Sequence, residues 1–117
     1  MVESILNTIR EMTVGLENGT AFDTDLIVHI NAALLTLNQL GVGPSTPLMI
    51  TGEDETWSDL LGDDLSNLSA VKSYIWLKVK LAFDPPSNSF VNDSYVKMAN
   101  ELEWRMNVQV DPRIQGA

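Results

Sequence analysis

A single histidine and one run of carboxylates are the residues of this chain whose chemistry could go beyond packing. His29 lies one helical turn after Asp25, a spacing that permits an i, i+4 contact. A hydrolytic dyad would need a nucleophile beside an oriented base, and the chain has no Gly-x-Ser-x-Gly turn or comparable elbow. His29 therefore reads as a structural or surface residue. The acids Glu53, Asp54, Glu55, Asp59, Asp63 and Asp64 could offer oxygens to a hard cation. They lack the Asp-x-Asp-x-Asn-Gly run and the closing Glu of a calcium loop, so the cluster reads as an acidic surface. The chain has no cysteine, which excludes disulfides, thiol chemistry and cysteine-ligated zinc. No catalytic, cofactor-binding or metal-ligating constellation is expected, and an enzyme is disfavoured.

Nucleic-acid reading is disfavoured as well. The stretch ALLTLNQLGVGPSTP resembles the junction of a helix-turn-helix, whose next helix should begin near Ser45 and present basic or amide side chains to base edges. Here that segment runs instead into Pro47, Leu48-Met49-Ile50 and then Glu53-Asp54-Glu55. The net charge is −9, and it is unevenly spread. Residues 1–65 hold eleven acids against one base, Arg10, whereas residues 66–117 hold five acids against six bases. The first half repels a phosphate backbone.

The elements that must position these residues are helical. With 117 residues the chain is one domain with one core. No apolar run approaches the ~18 residues needed to span a bilayer, and the start lacks the pattern of a signal peptide, so no membrane partner is expected. The stripe Val2, Ile5, Leu6, Ile9, Met12 predicts a first amphipathic helix ending near Thr13. Residues 14–22, with two glycines and an Asn-Gly pair, predict a loop. A second helix, capped by Asp23 or Thr24, turns Leu26, Ile27, Ile30, Ala33, Leu34, Leu37 and Leu40 inward and ends at Gly41. Its outer side, with Asn31, Asn38 and Gln39, reads as solvated or interfacial. Residues 42–56 carry two prolines and two glycines and predict a long loop. Thr56 caps a short helix over residues 57–61, which buries Trp57, Leu60 and Leu61.

The chain is organised around residues 69–110, an apolar helix SAVKSYIWLKVKLAF, a stop DPPSNSF and a second helix VNDSYVKMANELEWRMNV. At about 100° per residue the first arm carries two apolar stripes, one with Leu68, Val71, Ile75, Val79 and Ala82, the other with Ala70, Tyr74, Leu77 and Leu81. Such an arm is either the central helix of the bundle or a helix shared with a neighbouring subunit. Asp84-Pro85-Pro86 ends it, and Ser87 or Ser89 caps the next helix. The second arm turns Val91, Tyr95, Met98, Leu102 and Met106 inward, with Trp104 nearly opposite. Trp104 either docks a partner or folds under the tail or the first helix. The predicted fold is all-α: four main helices around a central apolar hairpin, plus a short extra helix in the long connecting loop. A helical domain over residues 1–110 is followed by a flexible tail over residues 111–117, which retains Ile114.

The run YIWLKVKLAFDPPSNSF followed by ELEWRMNVQVD resembles the small head-to-tail connector (head-completion or adaptor) proteins of long-tailed double-stranded DNA phages. The likeness is strongest over residues 74–110 and weaker over residues 34–42 and 56–59. It implies a structural virion protein, made in the bacterial host cytoplasm, that assembles a homo-oligomeric ring of about a dozen copies beneath the portal. It further implies an extension of the DNA channel, non-specific passage of double-stranded DNA, and docking of a tail-side stopper or tail-completion protein. Candidate oligomer or portal contacts are Tyr74, Leu77, Leu81, Trp104, Val108, Val110 and Ile114, and the six clustered acids are candidates for a channel or solvent face. The alternative from another class is a small acidic regulator or DNA mimic whose carboxylates imitate phosphates toward a basic partner.

Overall fold

A computed structural model of the chain describes residues 3–110. The order is α1 (Ile5–Thr13), a 3-10 turn (Leu16–Asn18), α2 (Asp23–Gln39), α3 (Trp57–Leu61), α4 (Leu68–Phe83) and α5 (Ser89–Val110). This is the predicted all-α bundle, four main helices with a short one in the long loop. Its extents are 47 × 36 × 21 Å, so the molecule is a flat slab about two helix diameters thick.

The first helix begins at Ser4, whose hydroxyl accepts the Asn7 N–H at 3.2 Å. Ile5, Leu6 and Ile9 are buried, as their spacing predicts, but Met12 is 45 % exposed and Val2 lies outside the described residues. The helix buries Arg10 as well, for a reason given below.

The predicted side-chain cap of α2 does not form. Phe22 occupies the cap position with no side-chain bond, and the Asp23 carboxylate is taken up by Arg10 instead. Leu26, Ile30, Ala33, Leu34 and Leu37 form the buried face, and Gly41, at φ 90°, takes the left-handed residue after the helix as expected. Two amides on the polar side of α2 are engaged within the chain. Asn31 receives the Ile50 N–H on Oδ1 at 2.7 Å and donates from Nδ2 to the Ile50 carbonyl at 3.1 Å. Asn38 donates to the Pro44 carbonyl at 3.0 Å. These amides satisfy backbone groups of an irregular segment that has no regular partner, which lets Ile50 enter the core at 2 % exposure.

The far end of that loop is pinned to α1. The Ile5 N–H donates to the Glu55 carbonyl at 3.0 Å, the Trp57 N–H to the Glu3 carbonyl at 3.3 Å, and Ser4 and Thr56 form an isolated antiparallel bridge. Thr56 and Asp59 then make a complete capping box, which is what allows a helix of five residues to hold. Trp57 and Leu60 are buried, and the Trp57 indole donates to Thr8 Oγ1 at 3.0 Å.

Helix α4 is the centre of the molecule. It packs on α1, α2 and α5, and buries Val71, Tyr74, Ile75, Leu77 and Val79, at about 1.5–3 kcal/mol for a typical large aliphatic among them. Both stripes are thus covered from within the chain, although Ala82 is exposed. Phe22 meets Phe83 edge-on at 5.5 Å, which sets the start of α2 against the end of α4. The Tyr74 hydroxyl, near the middle of α4, donates to Glu103 in the second half of α5 at 2.7 Å, and the short turn after Phe83 folds α5 back along α4. Helices α2 and α5 therefore both run antiparallel to α4, and parallel to one another.

At the hairpin, Asp84 terminates α4, its N–H on the Lys80 carbonyl and its carboxylate on Lys80 Nζ at 2.9 Å. The cap of α5 is Asn88 rather than either serine: its Oδ1 accepts the N–H groups of Phe90 at 2.8 Å and Val91 at 3.3 Å. An amide oxygen two atoms beyond Cβ reaches both donors, and the cap carbonyl also takes the Asn92 N–H. The inward stripe of α5 is Tyr95, Ala99, Leu102 and Met106. Val91 and Met98, placed inward by the sequence, stand at 37 % and 48 % exposure. The buried line passes through Ala99, at 2 % exposure, so Met98 falls on the flank.

Candidate functional site

The acidic run is partly a structural device. Glu53 Oε2 accepts Arg10 Nη2 at 2.8 Å. Glu55 accepts the Thr51 N–H at 3.2 Å and the Thr51 hydroxyl at 3.0 Å. Burial pushes the Glu55 pKa up, but those hydrogen bonds outweigh it and leave it lowered. Asp59 closes the capping box, and Asp64 receives the Ser66 N–H at 3.1 Å; the Ser66 side chain first, and then this N–H, lower the Asp64 pKa. Asp54 and Asp63 are exposed and make no hydrogen bond or ion pair among the described residues. Glu53, Asp59 and Asp64 stay exposed to water while they bond, so the run is both a scaffold for the loop and an acidic surface.

Arg10 is what sequence reasoning missed. Its Nε and Nη2 engage Asp23 at 2.9 and 2.7 Å, its Nη2 also engages Glu53, and its Nη1 donates to Asn7 Oδ1 at 2.5 Å. The Asp23 hydrogen bond raises its pKa, burial opposes this, and the Glu53 bond adds to the rise, so the charge is permanent. One guanidinium ties α1, the start of α2 and the acidic loop together. The signal was present: the only base among residues 1–65 sits directly after buried Ile9.

A groove of about 460 Å³ opens between the loop after α2, α3 and the ends of α4 and α5, lined among others by Val42, Leu60, Val71 and Met106. Gly43 forms its rim at φ +96°, where a Cβ would lie 2.9 Å from Leu60 Cδ1. Its charged lining residues are Asp59, which closes the capping box, and Asp64. His29 is half-buried and faces the edge of Phe83 at 6.4 Å, in keeping with a structural residue.

The candidate contact residues divide. Tyr74 and Leu77 are buried at 0 % and 1 % in the chain's own core, so the expectation that they face a neighbouring subunit is corrected. A central helix flanked by α2 on one side and α5 on the other leaves no second stripe for a partner. Burial first, and then the hydrogen bond to Glu103, hold the Tyr74 pKa well above the usual tyrosine value. Leu81 and Val108 are half-buried. The side chain of Val110, and all of Ile114 with the rest of the expected tail, lie outside what is described. Trp104 is 65 % exposed and Phe90 84 % exposed, on the same outward stripe of α5. Trp104 is therefore not folded under the first helix.

A second exposed stripe lies on α2. On α2, Asp25, Val28, Ala32, Leu35 and Gln39 all face outward, with Val28 at 60 % and Leu35 at 46 % exposure. Val28 lies between buried Leu26 and Ile30 in the chain but on the opposite side of the helix.

No helix among the described residues is long and apolar enough to cross a membrane. The family model described as "Phage connector protein" matches residues 5–113, which takes in every helix above. No curated protein and no solved structure matches the chain.

Proposed function

The chain belongs to the phage connector protein family, and from that premise we propose that it forms a ring beneath the portal, completes the head, extends the DNA channel and offers a docking surface to the tail. The observation that carries this is the family match over nearly the whole chain. Two exposed apolar stripes on opposite flanks of α4 support it, because a monomer gains nothing by leaving Phe90, Trp104, Val28 and Leu35 in water. Its partners in this role are further copies of itself, the portal protein and a tail-side stopper or tail-completion protein, in the virion at the head–tail interface.

The acidic surface at Asp54, Asp59, Asp63 and Asp64 suits a channel wall. DNA must slide past without being held, and a wall that neutralises no phosphate releases no counterions to bind it. The C-terminal residues 111–117 are proposed to reach the portal.

Electron microscopy of the purified protein, alone and mixed with its portal, tests the reading: closed rings coaxial with the portal are expected. A protein that stays monomeric under both conditions, yet binds a basic partner, would replace this reading with that of an acidic mimic. Removal of residues 111–117 should abolish portal binding while the helical content stays unchanged; retained binding places the portal contact elsewhere.

A further inference from the structure

The two exposed stripes differ, and the difference is complementary. On α5 the outward line Phe90, Lys97, Glu101, Trp104 ends in the largest exposed side chain of the molecule. On α2 the outward line Asp25, Val28, Ala32, Leu35 has a gap: Ala32 stands one turn from Val28 and from Leu35, so the two larger side chains flank a notch. The charges are complementary too. Exposed Asp25 carries no ion pair among the described residues, and neither does exposed Lys97.

The register then agrees. Lys97 precedes Trp104 by seven residues, and Asp25 precedes Ala32 by seven. Two helices laid side by side in the same direction bring both pairs together at once, about 10.5 Å apart along the axis. Within one chain α2 and α5 already run in the same direction, each packed on α4 rather than on the other. A copy placed beside another by rotation about an axis along the helices therefore meets it with α5 parallel to the neighbour's α2. Such a contact joins two different surfaces, so it repeats around a ring instead of closing as a dimer.

We propose that the subunit contact of the assembled protein seats Trp104 of one copy in the Val28–Ala32–Leu35 notch of the next, with Lys97 on Asp25. This rests on the ring reading above and names its interface. Lys97 and Asp25 set the register, and Trp104 supplies the desolvated anchor.

The chain has no cysteine, so single cysteines report the contact without background. In the proposed register Glu101 and Val28 lie on the facing stripes about 1.5 Å apart along the axis, and both are exposed, so neither change disturbs the core. A mixture of full-length Glu101→Cys and Val28→Cys proteins, assembled with portal and mildly oxidised, should give a covalent dimer that neither variant gives alone. Asp25→Lys and Lys97→Glu should each weaken assembly, on the order of tenfold or more, and the double variant should recover it. Helicity by circular dichroism, unchanged in each variant, excludes misfolding as the cause. Rings that form without the mixed cross-link, or that link Glu101→Cys to itself, overturn the contact and leave the ring standing. A protein that forms no ring with portal at any concentration overturns both.

Discussion

Arg10 shows how a single residue can change the meaning of its neighbours. Without it, Asp23 would be an ordinary helix cap and Glu53 a solvated acid; with it, both become ligands of a buried guanidinium. Removing one partner of such a cluster leaves the others desolvated and unpaired, so Arg10→Met should cost about 3 kcal/mol, the low end for a buried pair because Glu53 keeps contact with water. Urea unfolding measures it, and a loss below about 1 kcal/mol would place the cluster with ordinary surface pairs. Tyr74 yields a pH dependence. Its pKa in the fold lies above the unfolded value of 10.0, so its contribution to stability is present below that value and lost as pH rises beyond it. Stability should therefore fall steeply above about pH 10, and Tyr74→Phe should flatten that limb. An unchanged alkaline limb would mean that the hydroxyl ionises as freely as in the unfolded chain.

At the scale of elements, the ends of the helices are set by specific hydrogen bonds, and these are individually testable. Asn88→Ala removes the acceptor of two α5 donors and should cost about 1 kcal/mol, while Ser87→Ala and Ser89→Ala should each change stability by less than about 0.5 kcal/mol. Equal effects at the three sites would return the cap to the serines. The prolines of the turn act differently. Pro85→Ala with Pro86→Ala should destabilise by about 0.5–1 kcal/mol per site through the entropy of the unfolded chain. An unchanged melting midpoint would show that packing alone sets the hairpin angle.

For the whole molecule the question is which apolar residues serve the fold and which serve assembly. Ile75 is fully buried on α4 and Trp104 is largely in water. Ile75→Ala should cost about 2–5 kcal/mol in the monomer. Trp104→Ala should leave monomer melting within about 0.5 kcal/mol and yet impair rings. A Trp104→Ala protein that melts early and still assembles would reverse the two roles.

The helix count, the short α3 with its Thr56 cap, the Pro-Pro hairpin and the buried face of α2 were legible in the sequence, because each follows from local rules of periodicity, capping and backbone freedom. The family resemblance was legible too, since its motif is made of packing and turn residues that lie close together in the chain. What the tertiary structure alone decided is which face of each helix meets another. It assigned Tyr74 and Leu77 to the core, turned Met98 out, gave Asn31 and Asn38 to the loop, and joined Arg10 to Asp23 and Glu53. The physical reason is range. A period of 3.6 shows that a face is apolar, but what covers it, and where a buried charge finds its counterion, depends on residues 13 to 43 positions away that meet only when the chain is folded.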